Sequence, residues 1–287
     1  MTDNAQNING QNSAESGLVL VVGGTGKTGR RVVERLEAVD VPVRVGSRSA
    51  SPAFHWEDET TWEPVLRGVD KVYLTYYPDL AAPGATAAIR AFTGAARDAG
   101  VRHVVLLSGR GEDEAQECER IVQASGLEWT VVRSSWFAQN FSEDYLLEPV
   151  LAGEVALPSG DVPEPFADAD DVADVAVAAL TRPGHTGRVY EVTGPRALTM
   201  AEAVAEIGRA AGRDVAFVPV AVDDYAAVLK EQGVEGELIE FLTYLFSTVL
   251  DGRNSRPADG VRRALGREPR DFAEYARRTA ATGVWNG

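Results

Sequence analysis

The chain has 287 residues, 45% of them hydrophobic and 25% charged, with a formal net charge of −15. That length holds one large or two modest domains around an ordinary water-soluble core, and the acidic balance argues against a nucleic-acid surface, which needs clustered Lys and Arg. No apolar run approaches the roughly 20 residues of a membrane-crossing helix, and the single cysteine, Cys118, excludes an internal disulfide and fits a reducing cytoplasm.

Residues 1–16 are polar, with neither a basic start nor an apolar centre, and are expected to form a flexible tail rather than a signal peptide. Residues 18–22, LVLVV, then run directly into three glycines spaced three apart, Gly23, Gly26 and Gly29. An apolar run followed at once by such a turn reads as a buried parallel strand entering a helix, here over residues 27–38. One glycine allows the tight turn, one lets backbone approach a pyrophosphate, and one lets the helix pack on the strand. The helix start adds unpaired N–H groups and a positive dipole end. Gly24, Gly26 and Gly29 also satisfy the GxGxxG spacing. The tripeptide Gly26-Lys27-Thr28 invites a rival reading as a nucleoside-triphosphate loop, but Val21 stands where that loop needs a glycine. The turn, with Thr25, Lys27 and Thr28, is therefore a candidate cradle for a dinucleotide.

A second strand is expected over residues 41–45, a short third near 53–56, a fourth over 71–75, a fifth over 101–108 and a sixth over 129–135. Helices are expected over 85–99 and 112–125. This alternation argues for βαβ units and an α/β fold with a parallel sheet. Beyond about residue 140 the rhythm loosens. An isolated strand is expected at 153–158, a helix opened by acidic residues at 168–180, and a seventh strand of the main sheet at 189–193. The region after Gly194 reads as mainly helical, with Thr199 and Glu202 forming a capping box for a helix over 200–212. Leu238, Phe241, Leu242, Leu245, Phe246 and Val249 recur at helical spacing. That face is expected to cover a core, or else to serve as a substrate lid or subunit contact.

In a dinucleotide-binding fold, selectivity lies at the end of the second strand. A carboxylate there would hold the ribose 2′-hydroxyl of NAD, whereas arginine accommodates the 2′-phosphate of NADP. This chain places Arg44, Gly46, Ser47 and Arg48 there, with no carboxylate before Glu57. Arg48, with Ser47 donating beside it, points to NADP(H). Thr75, at the end of the fourth strand, joins the cofactor candidates.

Trp136, Phe137, Gln139 and Asn140 follow the sixth strand, at the carboxyl edge where ligands enter open α/β sheets. Tyr76 and Tyr77, after the fourth strand, would form the opposite wall. Aromatic walls with a few placed amides suit a flat, partly oxygenated small molecule, and Tyr77, Trp136, Phe137 and Asn140 are the candidate substrate contacts. His55, His103 and His185 lack metal-ligand spacing, so no metal site is expected. No GxSxG elbow is present. Cys118, beside Glu119, is expected to be unreactive.

Taken together, the sequence resembles the NmrA-like branch of the atypical short-chain dehydrogenase/reductase superfamily, over nearly its whole length from Leu18 to about Thr279. The marks are GGTGKTGRRV at residues 23–32, VRVGSR at 43–48, TW at 61–62 and GVDKVYL at 68–74. LLSGRGE at 106–112, SGLEWTVVR at 125–133, WFAQNF at 136–141 and LGREPRDFAEYA at 265–276 complete them. The resemblance implies a doubly wound Rossmann domain for NADP over residues 17–150, with a strand near 187–194. A smaller, mainly helical C-terminal substrate domain would take residues 151–186 and 195–287, with the cleft between the two.

Two departures stand out. Reductases of that superfamily usually protonate a carbonyl oxygen with a tyrosine whose acidity is raised by a lysine four residues later. The only lysines here are Lys27, Lys71 and Lys230, none of them four after a tyrosine, and the corresponding positions hold Ala115 and Glu119. Ser108 remains as the candidate catalytic residue, a donor to substrate or nicotinamide, with water or the substrate's own phenol as other proton sources. Second, where the family places an aspartate before a tryptophan to meet the adenine, this chain has His55 before Trp56, with Asp58 nearby.

Some NmrA-like proteins bind NADP without turning it over and act as redox sensors through protein partners. Others reduce quinones, flavonoid-like phenolics or aromatic natural products. The expectation is a cytoplasmic NADPH-dependent oxidoreductase for a quinone-like or aromatic carbonyl substrate, with aromatic polyketide or other natural-product tailoring as a setting. The alternative is a non-catalytic NADP(H) sensor. Neither nucleic acid nor membrane is an expected partner, and the C-terminal helices would allow a homodimer.

Overall fold

The computed structural model describes residues 17–286; the expected tail at 1–16 lies outside the described residues. The first half alternates strand and helix: β1 (Leu18–Val22), α1 (Gly29–Glu37), β2 (Val43–Gly46), α2 (Trp62–Leu66), β3 (Val69–Leu74), α3 (Ala85–Asp98), β4 (His103–Gly109), α4 (Asp113–Gln123) and β5 (Glu128–Ser134). The chain continues through α5 (Asn140–Glu143), α6 (Leu147–Ala152), β6 (Glu154–Leu157), α7 (Ala169–Thr181), β7 (Arg188–Val192), α8 (Met200–Ala211) and β8 (Ala216–Pro219). Four helices follow, α9 (Val222–Glu231), α10 (Gly236–Tyr244), α11 (Gly260–Leu265) and α12 (Phe272–Ala281).

Six parallel strands form the main sheet in the order β2-β1-β3-β4-β5-β7. The strand order reverses at β1, with β2 on one side and β3 on the other, and such a reversal opens a crevice at the strands' carboxyl ends. Side chains alternate between two buried faces. Leu20, Val22, Val72, Leu74, Val104 and Leu106 pack toward α3 and α4, while Val19, Val21, Tyr73 and Val105 pack toward α1 and α7. Burial on both faces explains why these strands read as unbroken apolar runs. This is the parallel α/β fold expected from the alternation, doubly wound as the family resemblance implies.

Three strand expectations change. Residues 53–56 do not pair with the sheet, which has six strands rather than seven. Instead Phe54 and Trp56 pack on one another and on Phe92 of α3, with ring centroids 5.1–5.8 Å apart. The aromatic burial that imitates a strand in the sequence here fills the core against Trp62 and Phe92, and Pro52 lacks the N–H that a ladder would use. The strand near 153–158 is not isolated: β6 pairs in parallel with β8, Val155 opposite Phe217. β8 lies in a region that reads as helical, because its partner is about sixty residues away and leaves no local trace.

A third apolar cluster gathers Phe141, Leu146, Leu157, Ile207, Tyr275 and Trp285 from the later elements. The capping box is present: Thr199 Oγ1 accepts from the Glu202 N–H, and Glu202 accepts from the Thr199 N–H. An ion-pair seam ties α1 to α7 and to the segment before α12. Arg35 reaches Asp170 and Asp174 at 2.7 and 2.6 Å, and Arg267 reaches Asp171 and Asp174, each at 2.6 Å.

Candidate functional site

The glycine turn is built by close approach. Gly23 has φ +72°, and a Cβ there would overlap the Thr75 hydroxyl, which itself donates to the Val22 carbonyl at 3.0 Å. A Cβ on Gly29 would overlap the Gly23 carbonyl, so the first turn of α1 is pressed against the end of β1. Thr25 and Gly26 are exposed at the tip of the turn. The start of α1 has no side-chain cap and no acidic residue in its first turn. Bare backbone, free helix amides and no internal anion fit a pyrophosphate, and residues 23–29 are the ones that would hold it. Thr28 differs from expectation. Its side chain is buried and its Oγ1 accepts from the Tyr73 hydroxyl at 3.0 Å, which leaves its backbone as the group for a phosphate.

At the end of β2, Arg44 is spent on structure, donating to the Val65 and Arg67 carbonyls at the end of α2. Arg48 is exposed and forms no ion pair among the described residues; its guanidinium lies 6.0 Å from the Tyr77 ring centroid. Ser47 lies beside it, its hydroxyl 3.4 Å from that of Ser49. Arg48 and Ser47 are thus available for a 2′-phosphate. Asp58 is not free in the same way: its carboxylate accepts from the Thr60 N–H and hydroxyl, which hold its pKa below the usual range. His55 takes part through its backbone, accepting from the Trp62 indole at 2.8 Å.

A cleft of about 470 Å³ opens over the carboxyl ends of β3, β4 and β5. Tyr76 and Tyr77 form one wall and Trp136, Phe137 and Asn140 the other, with Ser108 between them. Tyr77 is 72% exposed at the rim, whereas Tyr76 leans on Trp56 at 4.8 Å. Trp136 lies against Phe246 at 5.3 Å. Leu238, Phe241, Leu242, Leu245 and Val249 line the cleft from α10 and the turn that follows it. The apolar face expected to cover a core is therefore mostly the roof of the cleft, and Phe246 carries its core-facing part.

Polar groups that look equivalent in the sequence divide into free and spent. Lys27 crosses from the glycine turn to the far wall, donating to Asn140 Oδ1 and to Asp144 at 2.7 Å, with its ammonium 5.6 Å from the Phe137 ring centroid. Gln139 is spent on the start of α7, donating to Asp168 at 2.7 Å and accepting from the Ala169 N–H at 2.8 Å. Ser108 is buried, and its hydroxyl donates to Glu119 at 2.6 Å. Glu119 is held in turn by Arg133, whose other nitrogen reaches Glu191 at 2.9 Å. A serine whose proton is committed to a carboxylate offers the cleft a lone pair, so the expected donor role of Ser108 is corrected to that of an acceptor. Ala115 is fully buried in the core, so the helix face that would carry the tyrosine and lysine carries a methyl and a carboxylate.

Three acidic residues of the cleft carry no motif. Asp79 follows the tyrosine pair, Glu112 opens α4, and Glu164 lies between β6 and α7. Burial pushes Glu164 up to about 7, even though its carboxylate accepts from the Trp136 N–H and feels Arg110. Burial, then the Asp79 charge, pushes Glu112 well above the usual carboxylate range. Only Glu112 had a local signal, its place at the helix start straight after β4. Cys118 is buried, and burial, with the nearby Glu117 charge, pushes its thiol up to about 12, which keeps it protonated.

A family model described as NAD(P)H-binding matches residues 23–183. The NAD(P)H azoreductase of Xenophilus azovorans is 33% identical, over 92% of this chain and 98% of its own. The NADPH-dependent quinone oxidoreductase of Escherichia coli, solved with NADPH, shares the fold with a TM-score of 0.77 and 23% identity, over 91% of this chain and 99% of that one. NmrA, a negative transcriptional regulator solved with NADP, shares it with a TM-score of 0.69 and 19% identity, over 94% and 97%. No helix among the described residues is long and apolar enough to cross a membrane.

Proposed function

The chain belongs to the NAD(P)H-binding family, with the fold of the NmrA-like, atypical short-chain reductases, and from that premise we propose that it reduces a flat aromatic acceptor, quinone-like or an aromatic carbonyl, with NADPH. The observation that carries this reading is the cleft: aromatic walls, an apolar roof, and a mouth at the glycine turn where Lys27 meets the far wall. The dinucleotide supplies hydride when bound. The chain's own residues do the rest. Residues 23–29 would hold the pyrophosphate and Arg48 the 2′-phosphate, Trp136 and Tyr77 would sandwich a ring, and α10 would keep bulk water out. The likeness to an azoreductase supports an aromatic acceptor, and a flat natural product such as an aromatic polyketide would fit the same walls.

The test is NADPH consumption against a panel of quinones, hydroxyanthraquinones, naphthols and azo dyes, with binding measured separately by calorimetry. Acceptor-dependent oxidation, lost in Gly26→Asp because a carboxylate then occupies the phosphate cradle, is the expected result. Arg48→Ala should weaken NADPH about 10- to 100-fold while sparing NADH, since a charge-assisted hydrogen bond contributes about 1.5–3 kcal/mol. Tight NADPH binding with no turnover across the panel would instead favour the redox-sensor reading.

A further inference from the structure

The carboxyl groups of Asp79 and Glu112 face each other in the cleft, one from the loop after β3 and the other from the start of α4. Glu112 is 7% exposed, and its Oε2 has no hydrogen-bond donor among the described residues. It folds back over Gly109, next to Ser108, where a Cβ would overlap the carboxyl. Two carboxylates cannot share such a site while both are charged, and a buried acceptor without a donor is costly. One proton between them removes both penalties, because the acid donates to its neighbour.

We propose that Glu112 is the proton donor of the reduction, keeping its proton against Asp79 and releasing it to the acceptor's oxygen or nitrogen. This rests on the reductase reading above. The step balances as follows. The acceptor takes two electrons and one hydrogen as hydride, the dinucleotide is oxidised, and negative charge grows on the acceptor's heteroatom. A new bond from that heteroatom to hydrogen forms as the Glu112 O–H bond breaks, with the bonding pair left on the Glu112 oxygen. Water then reprotonates Glu112, because two adjacent carboxylates are unfavourable. The pair thereby takes the place of the missing tyrosine, and Ser108 can accept a hydrogen bond from the O–H or N–H so formed.

The charges that face Glu112 agree with this. Asp79 lies opposite, Glu114 and Glu119 lie on its own helix, and Tyr244 of α10 points its hydroxyl at Glu114, 2.9 Å away. All three carboxylates raise the pKa of Glu112. Tyr244 itself is pushed up to about 12, by burial and then by Glu114, and so stays neutral.

Glu112→Gln keeps the shape and removes the proton. Its test uses two acceptors: a neutral naphthoquinone, which needs a proton, and a triarylmethane dye cation, which needs only hydride. The expected result is a loss of about 100-fold in kcat with the quinone, within the range of general acid catalysis, and a far smaller loss with the dye cation. Asp79→Asn should move the alkaline fall of quinone turnover to lower pH. Independently of turnover, the infrared difference spectrum of the nucleotide-free protein at pH 7, wild type minus Glu112→Gln, should carry a carboxylic-acid C=O band from Glu112, since the separate band of Glu164, raised to about 7, cancels in the difference. Full quinone turnover in Glu112→Gln, equal losses with both acceptors, or a difference spectrum without that band would each overturn the proposal. If the wild-type protein reduces neither acceptor, the reductase reading fails and the donor role falls with it, while the infrared band still reports whether Glu112 holds a proton.

Discussion

Two sets of buried and half-buried carboxylates in this molecule are treated in opposite ways. Along the seam of α1, α7 and the segment before α12, acids meet arginines: Asp170 and Asp174 meet Arg35, and Asp171 meets Arg267 and Arg270. Burial alone would push Asp170, Asp174 and Glu143 up, but their arginines outweigh it and hold each below the usual range. In the cleft, Asp79, Glu112 and Glu164 have no ion-pair partner among the described residues, and burial wins. The first arrangement fixes charge to hold elements together. The second keeps protons where an acceptor would sit, and such unmatched acids mark sites of chemistry.

Breaking the seam should give the largest effect. Asp171 is 1% exposed and also accepts from the Arg270 N–H at 2.7 Å. Asp171→Ala should cost about 2–4 kcal/mol in urea unfolding, below the full value for a broken buried pair because both arginines keep some water.

The sign of the pH dependence should then separate the two sets. The depressed seam acids contribute stability that is present above their unfolded pKa and lost as pH falls through their folded values. Glu164 is raised, so its folded state binds the extra proton; stability falls as pH rises from its unfolded value toward about 7. Glu164→Gln should accordingly stabilise the protein by about 1–3 kcal/mol at pH 8 and leave it unchanged at pH 4, read from unfolding midpoints at both pH values. Equal effects at the two pH values would erase the distinction between seam and cleft.

Smaller changes sharpen the picture within the cleft. Ser108→Ala removes one donor to Glu119, which keeps Arg133, so it should cost about 0.5–1.5 kcal/mol of stability. Its kcat should fall far less than that of Glu112→Gln, because the serine proton points away from the acceptor. Trp136→Ala should raise the acceptor KM roughly 3- to 10-fold, from an aromatic contact of about 0.5–1.5 kcal/mol, with NADPH affinity unchanged. A matching loss of NADPH affinity would move Trp136 from the acceptor wall to the cofactor site.

Much of this was legible in the residues. The LVLVV run, the glycine turn, the acidic opening of the helix at 168–180, the helix cap at Thr199 and the missing tyrosine–lysine pair all depend on spacings of a few residues. The segment at 53–56 misleads because aromatic burial and strand formation favour the same residue types. β6 and β8 escaped because parallel partners can lie far apart in the chain. The roof from α10 was visible as an apolar face, but its spacing could not say whether core or cleft lay beneath it.

By itself, then, the sequence determined the parallel α/β scaffold, the cradle for a dinucleotide and the arginine in place of an acid at β2, since side-chain period and backbone sterics act locally. Only the tertiary structure decided which polar atoms remain free for chemistry. It turned the Ser108 proton toward Glu119 and the Thr28 side chain toward Tyr73, carried Lys27 across to Asn140, and brought Asp79 against Glu112. The physical reason is that a group's protonation and availability follow from its desolvation and its partners, and both are supplied by segments that meet only when the chain has folded.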